Sequence, residues 1–486
     1  MLLFAFGCKK KNAKDESVDV GDLAVPVYTD SRSMVIRADL PPNLANREQM
    51  MLYKECGFNA VPLTEDFFSA SEVAPYIEAM KQYEEDLAAW DGNEETKPVE
   101  PTKPLYIVSL ELCEELGIDV YIRPHQKDAF VNVPNENNIA VFNEYLETPN
   151  YFEKYFYNLD FRDYPAVKGF FIVDEPLFEN LLDLKYRYLP WFNENYGDGN
   201  FEMIVNFLNP LSNLWKDSRS QNMTLDQFMT YYNDNFFKDL NSKDKTVSFD
   251  TYVLCNDGVD NYIKDTFLYS TMCMRKYANQ YNADFGTYIQ CFTGYSNLRD
   301  LTSVEDFNYQ INVYLAFGSE RIAFYGYRDY PPEEHMLTAG EPNEKWDYCK
   351  DAIGLLKKID GILYNFTWEG IFTNVGTGSF FEINEAFDAI KNDSLKELRG
   401  VSAIKSKYDI VVGQFKDKDN NDGFMLVNYE EPSINHTNKV SMTFKNADGV
   451  LYYRNGERFV ESLKNRNFEI ELNPGEGVFI VPVYKK

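Results

Sequence analysis

Along most of the chain, short β-branched and aromatic runs alternate with longer stretches whose apolar residues recur at helical spacing. The runs predict strands at 34–40, 59–63, 119–123, 167–173, 201–207, 246–254, 285–292 and 321–325. Helical periodicity falls between them at 47–56, 109–116, 152–158, 225–240, 269–281 and 304–317, and again at 343–359 after the last strand. Gly57 and Gly117 stand where the first two of these helices have to stop, because glycine accepts the left-handed backbone that closes a helix. Residues 81–104, charged and then proline-rich, interrupt the rhythm and read as a surface excursion within the second unit. Eight such strands, seven of them followed by a helical stretch, read as an α/β chain closed into a (β/α)8 TIM barrel.

After about residue 360 long helices give way to strands separated by turn residues, at 410–415, 423–429, 439–444, 449–453, 468–472 and 477–483. Asn420-Asn421-Asp422-Gly423 and Asn473-Pro474-Gly475 are turn chemistry, since these residues take tight-turn conformations at little cost. A small antiparallel β-sandwich after the barrel is the economical reading. The acidic turn 417–422 alternates oxygen ligands, but Asp422 stands where a calcium loop of the EF-hand type needs glycine, which favours a plain hairpin. The chain then divides into a leader and acidic tether at 1–30, a barrel at 31–365 and a sandwich at 366–486.

Within the barrel the most informative stretch is Val167-Lys168-Gly169-Phe170-Phe171-Ile172-Val173-Asp174-Glu175-Pro176. Its apolar run ends abruptly in two acids and a proline that stops the strand, as in a strand buried on both faces. Barrel enzymes place catalytic carboxylates at the C-terminal ends of such strands, where a rigid backbone holds them beneath pocket-forming loops. Two solvated acids capping a strand leave the same pattern.

The 486 residues, 44% of them hydrophobic, can bury a large core. A net charge of −29 opposes nucleic acid, whose phosphates need clustered Lys and Arg, and favours a neutral or cationic ligand. The 37 Phe and 35 Tyr suit sugar-stacking surfaces, although a bias toward Phe, Tyr, Asn and Lys gives the same counts. Cys8, Cys56, Cys113, Cys255, Cys273, Cys291 and Cys349 lack the paired spacing of a zinc or redox motif and read as mostly buried thiols. The histidines, His125, His335 and His436, are far apart, so a histidine metal centre or a Ser-His-Asp triad has little material. No cofactor or metal is expected, and carboxylate chemistry is the better choice.

The chain begins with a short apolar run ending Ala5-Phe6-Gly7-Cys8, which resembles the lipobox of bacterial lipoproteins. That resemblance implies lipidation of Cys8, an extracytoplasmic location and membrane attachment through lipid, the run being too short to span a bilayer. Residues 12–30 are polar and acidic without periodicity, as a tether between membrane and domain would be.

A barrel whose fourth strand closes with Asp174-Glu175-Pro176, followed by a sandwich ending Leu472-Asn473-Pro474-Gly475-Glu476-Gly477, resembles glycoside hydrolases of the large (β/α)8 clan that includes the β-galactosidases of family 42, and their lipoprotein relatives. In that clan the fourth strand ends Asn-Glu-Pro with Glu as general acid/base, a role the resemblance carries to Glu175, while Asp174 replaces the Asn. The clan's nucleophile is a Glu at the end of the seventh strand. Here Tyr288-Ile289-Gln290-Cys291 offers Gln290, a neutral amide that cannot form a glycosyl ester. Asp250, in Phe249-Asp250-Thr251-Tyr252 near the exit of the sixth strand, is the nearest acid able to replace it; a structural acid bonded to a loop is the alternative. Arg37, Arg123, His125 and Asn206 at other strand exits are expected, with Asp174 and Gln290, to contact substrate. Tyr252, Tyr325 and Tyr327 are expected to floor the pocket by stacking. Each of these residues has a structural alternative.

The resulting expectation is a lipid-anchored glycoside hydrolase acting on an oligosaccharide or glycoconjugate, with one carboxyl kept protonated and another ionised. Its rival is a non-catalytic carbohydrate-binding barrel lipoprotein that has lost its nucleophile, which suits Gln290. A solute-binding lipoprotein would need two α/β lobes, and the all-strand tail counts against it.

Overall fold

The computed structural model describes residues 21–64, 69–125, 129–211, 223–294, 297–375 and 393–486. Eight parallel strands hydrogen-bond in chain order: β1 (Val35–Ala38), β2 (Ala60–Leu63), β3 (Asp119–Ile122), β4 (Val167–Asp174), β5 (Glu202–Phe207), β6 (Lys245–Phe249), β7 (Asp284–Gln290) and β8 (Arg321–Tyr325). Residues of β8 pair with β1, which closes the barrel. The strands are nearly all buried because helices cover their outer faces and side chains fill the inside. The first covering helix, Arg47–Cys56, is capped by the Asn46 side chain, which accepts the Gln49 N–H at 3.1 Å, and is closed by Gly57 at φ 111°.

The barrel's elements depart from the sequence pattern in several places, including unexpected helices at Ile139–Leu146, Phe178–Asp183 and Leu189–Tyr196. The sixth strand stops at Phe249, where the chain turns and resumes outside the barrel as a hairpin, Leu254–Asn256 against Asn261–Ile263. The charged excursion begins inside a helix, Val73–Ala89, whose later residues are mostly exposed. Its Lys, Gln, Glu, Leu and Ala favour a helix without much burial.

Inside the barrel, side chains lie in layers. At the N-terminal end Glu202 accepts hydrogen bonds from Tyr121 Oη at 2.6 Å and from Arg321 at 2.8 Å. Above them Ala60, Phe171 and Ile204 form an apolar layer, with Val35 packed against it. β4 then breaks the alternation expected of a strand: its register against β5 shifts between Phe171 and Val173. Phe171 belongs to the interior layer and Val173 to the core shared with the helices, and Asp174 comes level with Asn206 of β5.

Two antiparallel sheets follow. The larger runs β9 (Phe366–Thr373), β11 (Ile410–Asp417), β12 (Asp422–Asn428), β17 (Gly477–Val483), β14 (Gly449–Arg454) and β15 (Glu457–Ser462). The smaller holds β10 (Val401–Lys405), β13 (Asn438–Phe444) and β16 (Asn467–Leu472). β9, β10 and β15 were not legible in the pattern because each lies at a sheet edge and is partly exposed. β11, β12 and β17 read as unbroken apolar runs because both faces are covered: Val411 and Phe415 join the barrel's core, Ile410 and Val412 the core between the sheets.

The turn 417–422 is a hairpin, its Asp417 carboxylate accepting the Asp419 and Asn421 N–H groups at 2.9 and 2.8 Å and the Tyr28 hydroxyl at 2.9 Å. Among the described residues no cluster of metal-ligating side chains occurs. Cys8 and the proposed lipidation site lie outside the described residues. The end of the acidic leader is not a free tether, since Leu23 pairs with Lys485 and Ala24 N–H donates to Tyr484 O at 2.7 Å. No described helix is long and apolar enough to cross a membrane.

The sheets sit against the helix Val304–Ala316, where Trp368 Nε1 donates to Ala316 O at 2.9 Å and Asn312 Nδ2 to Gly475 O at 2.9 Å. Gly413 of β11 lies so close that a Cβ there would fall inside the Ala316 carbonyl. Gly413→Ala should therefore part the sheet from the barrel and cost about 2 kcal/mol or more, read as a lower midpoint in chemical denaturation. An unchanged midpoint would show that the two bodies are not packed this tightly.

Candidate active site

Parallel barrel strands share one C-terminal rim. Arg37, Arg123, Glu175, Asn206, Asp250, Gln290 and Tyr325 all stand within one residue of a strand's C-terminal end. The floor is Phe171, whose ring lies 4.5 Å from the Arg37 guanidinium and 4.6 Å from that of Arg123. Arg37 pairs with Asp39 and donates to Tyr288 Oη at 2.8 Å. Arg123 reaches Asp39 at 3.2 Å and Asp174 at 2.8 Å, and Tyr288 Oη donates to Asp39 at 2.9 Å.

Asn206 links this cationic layer to the remaining acids. Its Nδ2 donates to Asp174 at 2.8 Å and to Asp250 at 3.3 Å, while its Oδ1 accepts from Ser248 Oγ at 2.8 Å. The backbone of Glu175 is left-handed, φ 48°, and its N–H donates to Asn206 O at 2.7 Å. A non-glycine residue in that region costs about 1–2 kcal/mol, and such strain persists where surrounding structure imposes it. The Glu175 carboxyl hydrogen-bonds with that of Asp250.

Two carboxyls in contact cannot both ionise easily. Removal from water and then repulsion by Asp174 push Glu175 up to about 7, against the opposing effect of its bond to Asp250. Burial, followed by the charges of Glu175 and Asp174, pushes Asp250 well above the ordinary carboxylate range. The pair thus retains a proton near neutral pH.

Beside the acids is an aromatic wall. The Tyr252 ring lies 4.7 Å from Phe292 and 5.9 Å from Tyr325, and Phe292 stacks on His335 at 5.6 Å. His335 Nδ1 accepts the Gly326 N–H at 3.0 Å, which leaves Nε2 to donate to Glu333 at 3.1 Å. Burial pushes this imidazole down to about 4, so it is neutral.

Two expected contacts are corrected. Gln290 is fully buried, and its Oε1 accepts the N–H groups of Val253 and Leu254, both at 3.0 Å. Its Nε2 donates to Leu254 O and Arg299 O, both at 3.3 Å, so the amide clamps backbone and does not face the rim opening. Tyr327 is core, packed edge-on against Tyr53 at 5.0 Å and Phe58 at 5.9 Å. His125 lies half-buried after β3. The sequence reading missed Asp39, Tyr288, Ser248, Phe292 and His335. Strand alternation from Arg37 to Asp39 was the available signal for one of them.

No family model matches the chain and no curated protein matches it. Among solved structures it is similar to a family 39 glycoside hydrolase from Bacteroides cellulosilyticus WH2, with 11% identity, coverage of 94% of this chain and 83% of that one, and a TM-score of 0.47. It is also similar to a family 27 β-L-arabinopyranosidase from Geobacillus stearothermophilus, at 9% identity, 95% and 98% coverage and a TM-score of 0.40. A third is a 4-O-α-L-rhamnosyl-β-D-glucuronidase from Fusarium oxysporum, at 8% identity, 94% and 98% coverage and a TM-score of 0.39.

The acid pair has a consequence for stability. A carboxyl whose proton is held more tightly in the folded state costs nothing below its unfolded value near 4.5, costs increasingly up to about 7, and costs the full amount above that. Asp250 is raised in the same direction, by burial and then by the charges of Glu175 and Asp174, and Asp250→Asn removes its share of this cost. It should raise the melting temperature at about pH 8, with the gain shrinking or reversing by about pH 4. A pH-independent difference would mean that the two carboxyls are not coupled.

Proposed function

We propose that this protein is a glycoside hydrolase cleaving O-glycosidic bonds of an oligosaccharide or glycoconjugate, with Glu175 as general acid/base and Asp250 as its partner. One observation carries the reading: carboxyls from two barrel strands meet at the rim in hydrogen-bond contact, where burial and neighbouring acids raise both above the ordinary carboxylate range. Glycoside cleavage uses one proton on such a pair, one carboxyl to protonate the leaving oxygen and the other to act on the anomeric carbon. Inverting pairs stand about 6.5–9.5 Å apart to admit a water, retaining pairs about 5–5.5 Å. Hydrogen-bond contact is closer than either range and nearer the retaining one, which we adopt here.

In the retaining step Asp250 attacks the anomeric carbon, the glycosidic C–O bond breaks, and the Glu175 proton passes to the leaving oxygen. Water then gives Glu175 a proton and the anomeric carbon an oxygen, which frees Asp250. Tyr252 and Tyr325 supply apolar faces for a sugar ring, with the buried Phe292 packed behind them. The second acid belongs to β6, so the β-galactosidase clan's substrate does not carry over with its fold. A carbohydrate-binding barrel without hydrolysis is the second reading, favoured by the amide of Gln290 on β7.

Screening natural oligosaccharides and aryl glycosides, with the anomer of the product followed by NMR, tests both readings. Glu175→Gln should lower turnover on natural leaving groups by on the order of a hundredfold or more, and less on activated aryl glycosides. Asp250→Asn should damage both substrate types, and kcat/KM of the unmodified protein should fall above about pH 7 as Glu175 loses its proton. An unchanged rate for Glu175→Gln refutes the acid assignment. Sugar binding without any cleavage establishes the second reading.

We propose also that Cys8 is lipidated and holds the protein outside the cytoplasm at a membrane, a reading supported by its lipobox-like context. Cys8→Ala should shift the protein from the membrane to the soluble fraction, since the acidic body supplies no comparable apolar burial. Equal membrane recovery of the variant would end this assignment.

A further inference from the structure

The chain leaving β6 is held from outside the barrel. Two residues beyond Tyr252 the hairpin strand Leu254–Asn256 begins, and Leu254 O accepts the Arg299 N–H at 3.0 Å. Gln290 binds the same point from the other side, through the Val253 and Leu254 N–H groups and through Arg299 O. The Arg299 side chain is pinned between two acids. It donates through Nη1 to Asp306, on the helix Val304–Ala316, at 3.1 Å, and through Nε to Glu431, in the loop after β12, at 2.7 Å. The three side chains are only 5%, 2% and 3% exposed respectively.

The second oxygen of Glu431 accepts the Ser433 N–H at 2.7 Å. Ser433 Oγ in turn accepts from Asn261 Nδ2, on the returning strand of the β6 hairpin, at 2.9 Å. The sandwich therefore reaches the segment after Asp250 by two routes, both through Glu431. A buried ion pair is an expensive way to join two surfaces, because charges must leave water, and its return is a fixed geometry.

We infer that Glu431 is a positioning residue: from the sandwich, through Arg299 and the Gln290 clamp, it holds the β6 loop so that Asp250 meets Glu175 and Tyr252 meets the aromatic wall. The inference rests on the proposal that Glu175 and Asp250 are the reacting pair. It makes the sandwich part of the site's construction, although no sandwich residue contacts the acids in the geometry described above. Glu431 fits this role better than a purely structural one because Asp306 alone would suffice to neutralise Arg299.

The test compares Glu431→Ala and Glu431→Gln with Asn312→Ala, which removes the Asn312 to Gly475 bond in the same interface but away from the loop. Hydrogen exchange at the Val253 and Leu254 amides reads the loop directly and needs no activity. Glu431→Ala should speed that exchange by on the order of tenfold, beyond any change in Asn312→Ala at equal distance below each melting temperature. It should also lower kcat by on the order of ten- to a hundredfold with KM nearly unchanged, because misplacing a reacting group by a fraction of an ångström acts on the chemical step. Glu431→Gln keeps an acceptor for Arg299 and should restore most of both. Should Glu431→Ala fail to fold, the same comparison is made with Glu431→Gln, which should then show the smaller change in the same direction. Equal exchange in the Glu431 and Asn312 variants overturns the inference. Faster loop exchange in a protein that cleaves no glycoside sinks the hydrolase reading and leaves the positioning of the loop standing.

Discussion

Four acids and two guanidinium groups meet at the mouth of the barrel, and how they pair decides what the rim can do. Arg37 and Arg123 lie over Phe171 and engage Asp39 and Asp174. Glu175 and Asp250 are left facing each other, with Asp174 adding its charge to both. Like charges in contact at a partly dry site keep a proton that water would otherwise remove. The raised proton affinity on which the proposed chemistry draws follows from that unequal pairing.

The barrel supplies the rigidity this arrangement demands. Asp174 and Asn206 are brought level by a register shift in β4, and Glu175 is turned by a left-handed backbone whose N–H is held by Asn206 O. Asn206 is the hinge of the cluster: its side chain bonds one acid from β4 and one from β6 while Ser248 fixes its rotation. Such positions cost local backbone energy, which the closed sheet around them sustains.

The sandwich adds more than bulk. The inner strands of its larger sheet are buried on both faces, and the barrel core continues into them through Val411, Phe415, Met425 and Phe479. The helix Val304–Ala316 lies between the two bodies, giving Gln310 to the β7 end and Asp306 to the buried ion cluster. A chain built this way has no clean mechanical boundary between the site-bearing barrel and the sheets beside it.

The alternation of apolar runs and helical periods was enough to identify a (β/α)8 barrel followed by strands, because burial on two faces writes unbroken apolar runs and amphipathic cover writes a helical period. Arg37, Arg123, Glu175, Asn206 and Asp250 could be named from strand ends alone, since parallel strands carry their C-terminal residues to one rim. The contact between Glu175 and Asp250 could not, because it depends on where two strands separated by 75 positions end in space and on a left-handed backbone that no residue type announces. Gln290 and Tyr327 sat at plausible positions, yet packing sent one into a backbone clamp and the other into the core. Asp39, Tyr288 and His335 were missed for the same reason: a polar residue in a buried run takes its meaning from its partner across the fold, and only the tertiary structure supplies that partner.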